Sequence, residues 1–297
     1  MELPNRWDCF MESGRIEDYL NYCRARQNDN TREHSPDGTM TENRVEARYG
    51  GGADRSDRNG ADGISKRIEL LTKERGRISA FVTGARRVNS AVSACAIPFT
   101  FGTYRLYEGR SSYNVQSAQI KKFFAGIADD FDTLCYASYF AELARYFTRE
   151  NVEAPDELLL LYVACSAMTR GKISLPLVRV IYEMRMMQIE GEALELFQCL
   201  GCKTSQGNLR VYFSRGGFLC DSCAAKFMSE QREKGYRLSP DAVYALQFIV
   251  TTPLERLFTF RVSEQIEKEL SEFMTHYYEH YLHHTFQSLA FLESLPY

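Results

Sequence analysis

Apolar and polar positions alternate in several short stretches after residue 64 and then recur every three to four residues along most of the remaining chain. In KRIELLTKERGRISAFVTGARR the pattern predicts strands at 66–72 and 77–83, joined by a turn at Glu74-Arg75-Gly76, with Ile78, Ala80 and Val82 on one face. PFTFGTYRLYEG and YNVQSAQI, rich in aromatic and β-branched residues, predict two more strands about a turn at 108–112. Short strands separated by close turn signals point to a small barrel rather than a parallel sheet.

Beyond Lys122 the period becomes helical. Phe124, Ile127, Phe131, Leu134, Tyr139 and Leu143 recur at helical spacing, PDELLLLYVACSAMTRG runs from Pro155 to Gly171, and LPLVRVIYEMRMMQIEGE continues to Gly191. Three successive helices with short polar connections predict a bundle, with Cys135, Cys165 and the methionines at 184, 186 and 187 in its core. A further helix is capped by Ser239, has Pro240 in first position and stops before Pro253. The last pattern, from Ser263 to Leu292, predicts one long helix. His276, His280 and His284 share a stripe on it and read as a polar flank, since no carboxylate or thiol motif joins them.

Residues 1–63 differ in texture. They are rich in Gly, Asp, Asn and Arg and poor in large apolar side chains, so the expectation is a disordered segment. The expected organisation is this segment, a barrel at 64–122 and a helical region at 123–297.

The formal net charge of the 297-residue chain is only -3, but it is unevenly spread. Residues 64–122 hold eleven Lys and Arg against three Glu, a local positive field suited to a polyanion. Within it, Lys66, Arg67, Lys73, Arg75, Arg77, Arg86, Arg87, Arg105 and Arg110 are interleaved with rings such as Phe81 and Tyr104. Cations for the backbone and rings for the bases are what a single-strand binder needs, although alternating aromatics are also ordinary barrel core. Arg86 and Arg87 follow Gly84 where the chain leaves a strand, a place that cannot readily bury two guanidinium groups.

The cysteines add a second chemistry. Cys199-Leu-Gly-Cys202 and Cys220-Asp-Ser-Cys223 stand 17 residues apart, the spacing of a four-thiolate zinc knuckle at 199–223. A redox dithiol needs one such pair, and a disulfide framework needs export, for which the N-terminal sequence carries no signal. With four thiolates the ion has no open position, so its role is structural. No stretch reaches the roughly 20 apolar residues of a membrane span. The expectation is a soluble, cytoplasmic, nucleoid-associated protein. No phosphate-binding GxxxxGK[ST], nucleophile elbow or HExxH is present, so no enzyme is expected.

These motifs together, KRIELLTKERGRISAFVTGARR, PFTFGTYRLYEGRSSYNVQSAQI, the paired CxxC knuckle and TPLERLFTF before a long helix, resemble the RecO family of bacterial recombination mediators. The resemblance implies an α+β chain in which an N-terminal OB-fold barrel precedes an all-α domain carrying the inserted zinc knuckle. It further implies binding and annealing of single- and double-stranded DNA. The implied partners are RecR, the acidic C-terminal tail of the single-strand-binding protein SSB and, indirectly, RecA, which is loaded onto SSB-coated DNA. The family's basic GARR stretch falls on Gly84, Ala85, Arg86 and Arg87, and Arg179, Arg185 or Arg256 would suit an acidic tail. One departure stands out. The apolar strand that opens the family's barrel is replaced by GGGADRSDRNGADG, which cannot form a strand, so an incomplete barrel with an open edge is expected. The competing reading is a zinc-stabilised scaffold that binds only proteins.

Overall fold

Alternation decides the first half of the molecule. In the computed structural model, which describes residues 45–49, 66–83, 95, 97–110, 112–227 and 233–294, the strand Gly76–Val82 buries every second residue. Ile78, Ala80 and Val82 meet Ile68, Leu70, Tyr104, Tyr113 and Val115 in one apolar cluster. Five strands close around it: β1 (Val45–Tyr49), β2 (Lys66–Thr72), β3 (Gly76–Val82), β4 (Thr100–Glu108) and β5 (Tyr113–Phe123), in the order β1-β2-β3-β5-β4. All pairs are antiparallel except β3 with β5. This is the strand order of a closed five-stranded OB-type barrel.

The closure corrects the expectation of an open edge. β1 pairs with β2, Glu46 opposite Thr72, and also with β4, Val45 opposite Thr103. The strand comes from VEARY, upstream of the glycine-rich stretch in which the sequence reading sought it. Its short apolar alternation is hidden among polar neighbours, and ladder pairing is made by the backbone, which composition does not report. The expected disorder of residues 1–63 therefore fails at Val45–Tyr49, and for the remainder it lies outside the described residues.

Among the described residues the helical region follows in eight segments. These are α1 (Ala125–Asp129), α2 (Phe131–Phe147), α3 (Pro155–Arg170), α4 (Leu175–Ile189), α5 (Asp221–Phe227), α6 (Pro240–Thr251), α7 (Glu264–Tyr281) and α8 (Gln287–Glu293). Ser239 and Ser263 cap α6 and α7 through their hydroxyls, as their positions predict. Cys135, Cys165 and the three methionines are buried, as expected of core residues. At the centre, Phe140 stacks on Tyr182 with centroids 4.2 Å apart. Glu183, 1% exposed, accepts hydrogen bonds from Tyr139 Oη at 2.6 Å and Arg179 Nε at 2.8 Å.

The long final helix breaks in two. Leu282 takes an extended conformation after Tyr281, and the chain folds back so that Phe286 is buried against Tyr139 and Tyr146. Glu142 of α2 then accepts from the backbone N–H groups of Gln287 and Ser288, satisfying the first donors of α8. Local periodicity continues through the break because both halves are amphipathic; the break is set by a tertiary contact.

Barrel and helices meet at the β2–β3 turn. Gly76 has φ +61°, and a Cβ there would lie 2.1 Å from Arg149 O and 2.3 Å from Val152 O, so only glycine admits the α2–α3 connection. Backbone bonds from Arg77 N to Arg149 O, Asn151 N to Arg75 O and Ala154 N to Lys73 O fasten the joint. Glu69 on β2 is clasped there by Arg77 at 3.3 Å and by Arg145 of α2 at 3.2 Å. All described residues fall in one unit, Arg44–Tyr297.

Candidate metal centre and nucleic-acid interface

The cysteine pairs are brought together by a hairpin. Leu209–Tyr212 (β6) and Gly217–Cys220 (β7) pair antiparallel through a 3-10 turn at Phe213–Arg215 and Gly216, which delivers Cys220 beside the first pair and Cys223 in the first turn of α5. The first pair is shaped by Cys199 N bonding Thr204 O at 2.7 Å and Lys203 N bonding Cys199 O at 2.9 Å. Gly201 lies so close to the second pair that a Cβ would stand 2.7 Å from Cys223 Sγ.

All four Sγ atoms lie within 4.8 Å of one another. Ligands at about 2.3 Å from a tetrahedral ion are separated by about 3.8 Å, and the Sγ atoms of Cys202 and Cys220 are 3.7 Å apart. The protonation chemistry also fits a cation. Burial pushes the Cys199 thiol up, but N–H groups of Cys202, Cys220 and Gly201 outweigh it and bring the group down to about 6. Burial, together with the neighbouring thiols, pushes Cys223 up to about 12. One sulfur is thus ready as a thiolate at neutral pH, and the charge of a metal ion would draw the proton from the rest. These four cysteines can hold one metal ion, and as a complete shell they would hold it structurally.

The knuckle is carried on the bundle. Phe213 stacks on Tyr277 of α7 with centroids 5.9 Å apart, Tyr281 Oη donates to Phe213 O at 2.9 Å, and Gln247 of α6 donates to Leu196 O at 2.6 Å. Cys199, Tyr212, Leu219, Cys223 and Ala224 form its own small core.

The residues expected to meet DNA divide into three groups. Lys66 and Arg67 on β2, Arg105 on β4 and Arg110 in the β4–β5 turn are exposed, and Phe81 is half-buried on the outward parity of β3. Lys73, Arg75 and Arg77 sit at the joint with the helices. Arg75 donates to Asn151 Oδ1 at 3.1 Å, and Arg77 pairs with Glu69 and donates to Thr148 O. Arg77 thereby fastens the barrel to the helical connection. Tyr104 differs from the expectation: it is 0% exposed in the barrel core and offers no face to a base. Arg86 and Arg87, with Gly84 and Ala85, lie outside the described residues.

Tyr107, by contrast, is 60% exposed on the outward side of β4. Both Tyr104 and Tyr107 are plausible barrel core by composition. The signal that separates them is parity: inward Tyr104 and Leu106 put Arg105 and Tyr107 outside.

Of the arginines considered for an acidic tail, Arg179 is engaged by Glu183 and by Glu293 of α8 at 3.2 Å, and Arg185 donates to Val250 O at 2.9 Å. Arg256 is exposed.

Comparison with known proteins matches two family models, "Recombination protein O N terminal" over residues 64–124 and "Recombination protein O C terminal" over residues 128–290. The chain is similar to the DNA repair protein RecO of Bacillus pumilus (strain SAFR-032), 28% identical over 219 residues, covering 73% of this chain and 82% of that protein. It is 29% identical over 231 residues to the DNA repair protein RecO of Acetivibrio thermocellus, covering 77% and 89% respectively. The DNA repair protein RecO of Bacillus subtilis (strain 168) is 27% identical over 234 residues, covering 78% and 88%.

Proposed function

The chain belongs to the RecO family and serves DNA repair and recombination, and from that premise we propose that it works by binding and annealing DNA and, with RecR, by helping RecA onto single strands coated by SSB. The observation that carries this reading is the outward barrel surface, where Lys66 and Arg67 at the start of β2, Arg105 within β4 and Arg110 in the β4–β5 turn stand exposed. Such a face neutralises phosphates of either a single strand or a duplex and releases their counterions. Two complementary strands held on one positive surface repel each other less, which favours annealing without any bond being made or broken. The chain acts here as a binding protein rather than an enzyme.

The four-cysteine site would hold zinc, which supplies a structural clamp and takes no part in the DNA chemistry. An acidic SSB tail would seek an exposed cation on the helical body, and Arg256 suits that need better than Arg179 or Arg185, whose guanidinium groups are already engaged. Among the described residues no helix is long and apolar enough to cross a membrane, which accords with work at the nucleoid in the cytoplasm.

Titration of labelled single-stranded and duplex DNA against the protein at several salt concentrations tests the reading. The logarithm of affinity should fall steeply with the logarithm of salt, and Arg67→Ala with Arg105→Ala should reduce the slope by about 1 for each lost contact. A protein-only scaffold would show no retained DNA and no slope.

A further inference from the structure

The four sulfurs of the knuckle are not equivalent toward solvent. Cys199 and Cys223 are buried, Cys220 is half-buried and Cys202 is exposed. The difference follows from the local fold. Cys199 and Cys223 belong to the small core with Tyr212, Leu219 and Ala224, and Cys199 Sγ accepts the backbone N–H of Cys220 at 3.3 Å. Cys220 ends β7 at the edge of that core, and Cys202 lies in the run 201–208, in which every residue but Thr204 is exposed. The sulfurs of these two outer cysteines stand 3.7 Å apart.

The other thiols among the described residues are shielded. Cys95 is buried in the barrel core, Cys135 and Cys165 are buried in the bundle, and burial raises the last two above the ordinary thiol range. Such thiols are seldom in the reactive thiolate form and meet no dissolved oxidant. Cys202 is the reverse case, since a sulfur that coordinates a metal ion is a thiolate and this one is open to solvent.

An electrophilic oxidant attacks exposed thiolate sulfur first, and a second thiolate within reach turns the first product into a disulfide. We propose that Cys202 is an oxidation site for small hydroperoxides, that Cys220 is its resolving partner, and that the knuckle is a reversible, peroxide-sensitive clamp. The inference rests on the reading that the four cysteines hold a metal ion. In the first step the Cys202 sulfur attacks a peroxide oxygen: an S–O bond forms, the O–O bond breaks, and the other oxygen leaves as hydroxide or alkoxide. In the second the Cys220 sulfur attacks the Cys202 sulfur: an S–S bond forms, the S–O bond breaks, and hydroxide leaves. The two sulfurs lose two electrons, the peroxide gains them, and solvent protons neutralise the leaving groups. The gap to close, from 3.7 Å to the roughly 2.05 Å of a disulfide, is within the swing of two side chains. Cys199 and Cys223 are then half of a four-thiolate shell and no longer hold an ion. Two equivalents of a small thiol reopen the bond by exchange, leave as their own disulfide and restore the site.

The test uses the full chain carrying C9S/C23S, which removes the two thiols outside the described residues. Reduced, zinc-loaded protein is treated with hydrogen peroxide while a chromogenic chelator records released metal, and thiol-blocked tryptic digests are mapped by fragmentation mass spectrometry. Cleavage after Lys203 and Arg215 puts Cys202 and Cys220 on separate peptides, so their bond appears as a crosslink. The expected result is one ion released for each Cys202–Cys220 disulfide formed, Cys95, Cys135 and Cys165 still reduced, and recovery of the site on adding thiol and zinc. Release with another pairing, such as Cys199 with Cys202, or with no disulfide, would overturn the proposal. Metal retained by intact thiols, under peroxide that consumes free cysteine, would overturn it while the metal clamp stands. Protein that binds no metal before treatment would overturn both readings.

Discussion

Arg179 and Glu183 show how a single buried pair can be committed to the fold. Glu183 is buried, its carboxylate is matched by Arg179 and Tyr139, and Arg179 extends to Glu293 on the last helix. Removing the arginine leaves a carboxylate in the core without its countercharge. Arg179→Ala should cost about 3 to 5 kcal/mol in a urea melt. Glu190 makes a different statement. Burial, and then Glu157 beside it, raise its carboxyl to about 7 from an ordinary 4.5. The folded protein holds this proton more tightly than the unfolded chain, so the stabilising contribution is whole below about 4.5 and is lost as pH rises through about 7. Stability measured by denaturant across that window should fall with rising pH, and Glu190→Gln should flatten the fall. Residue identity alone predicted neither case. The clustering of the four cysteines was legible because their spacing is itself the chemistry, whereas Arg77 reads as a free cation until Glu69 and Thr148 are seen beside it.

At the scale of elements, strand and helix positions were largely legible from period and caps. What escaped was set by partners distant in sequence. Phase was ambiguous where two tyrosines competed for the barrel interior, the last helix broke to bury Phe286, and β1 was concealed by its polar surroundings. Each has a measurable consequence. Deleting Val45–Tyr49 would leave the facing edges of β2 and β4 unpaired, and light scattering should report self-association of the shortened protein. Removing a metal ion held by the four cysteines should act as locally. The hairpin β6–β7 and its thiols form their own small core, so a chelator should speed amide exchange across Leu209–Cys220 while α3 and α4 stay protected. Uniform protection in chelator would contradict a structural ion.

For the whole molecule, the decisive feature is division of labour across the barrel. Strand ends near Gly76 are given to the helices, while Arg67 on β2 and Tyr107 on β4 stand exposed. The charge pattern of residues 64–122 was readable as a nucleic-acid signal, but sequence could not say which cations serve the joint and which serve a ligand. Gly76→Ala separates the two roles. A Cβ in that left-handed turn collides with two backbone carbonyls, so the melting temperature should drop by several degrees, while the exposed surface proposed to meet DNA is chemically unaltered.

The seam between β1 and β4 also dictates a sequence of events during synthesis. Val45 leaves the ribosome well before Thr103, its partner, and until that partner arrives the earliest strand has only β2 to lie against. The barrel is consequently a late-sealing vessel: its rim is completed by the segment made first, and the nascent chain spends that interval with one wall missing.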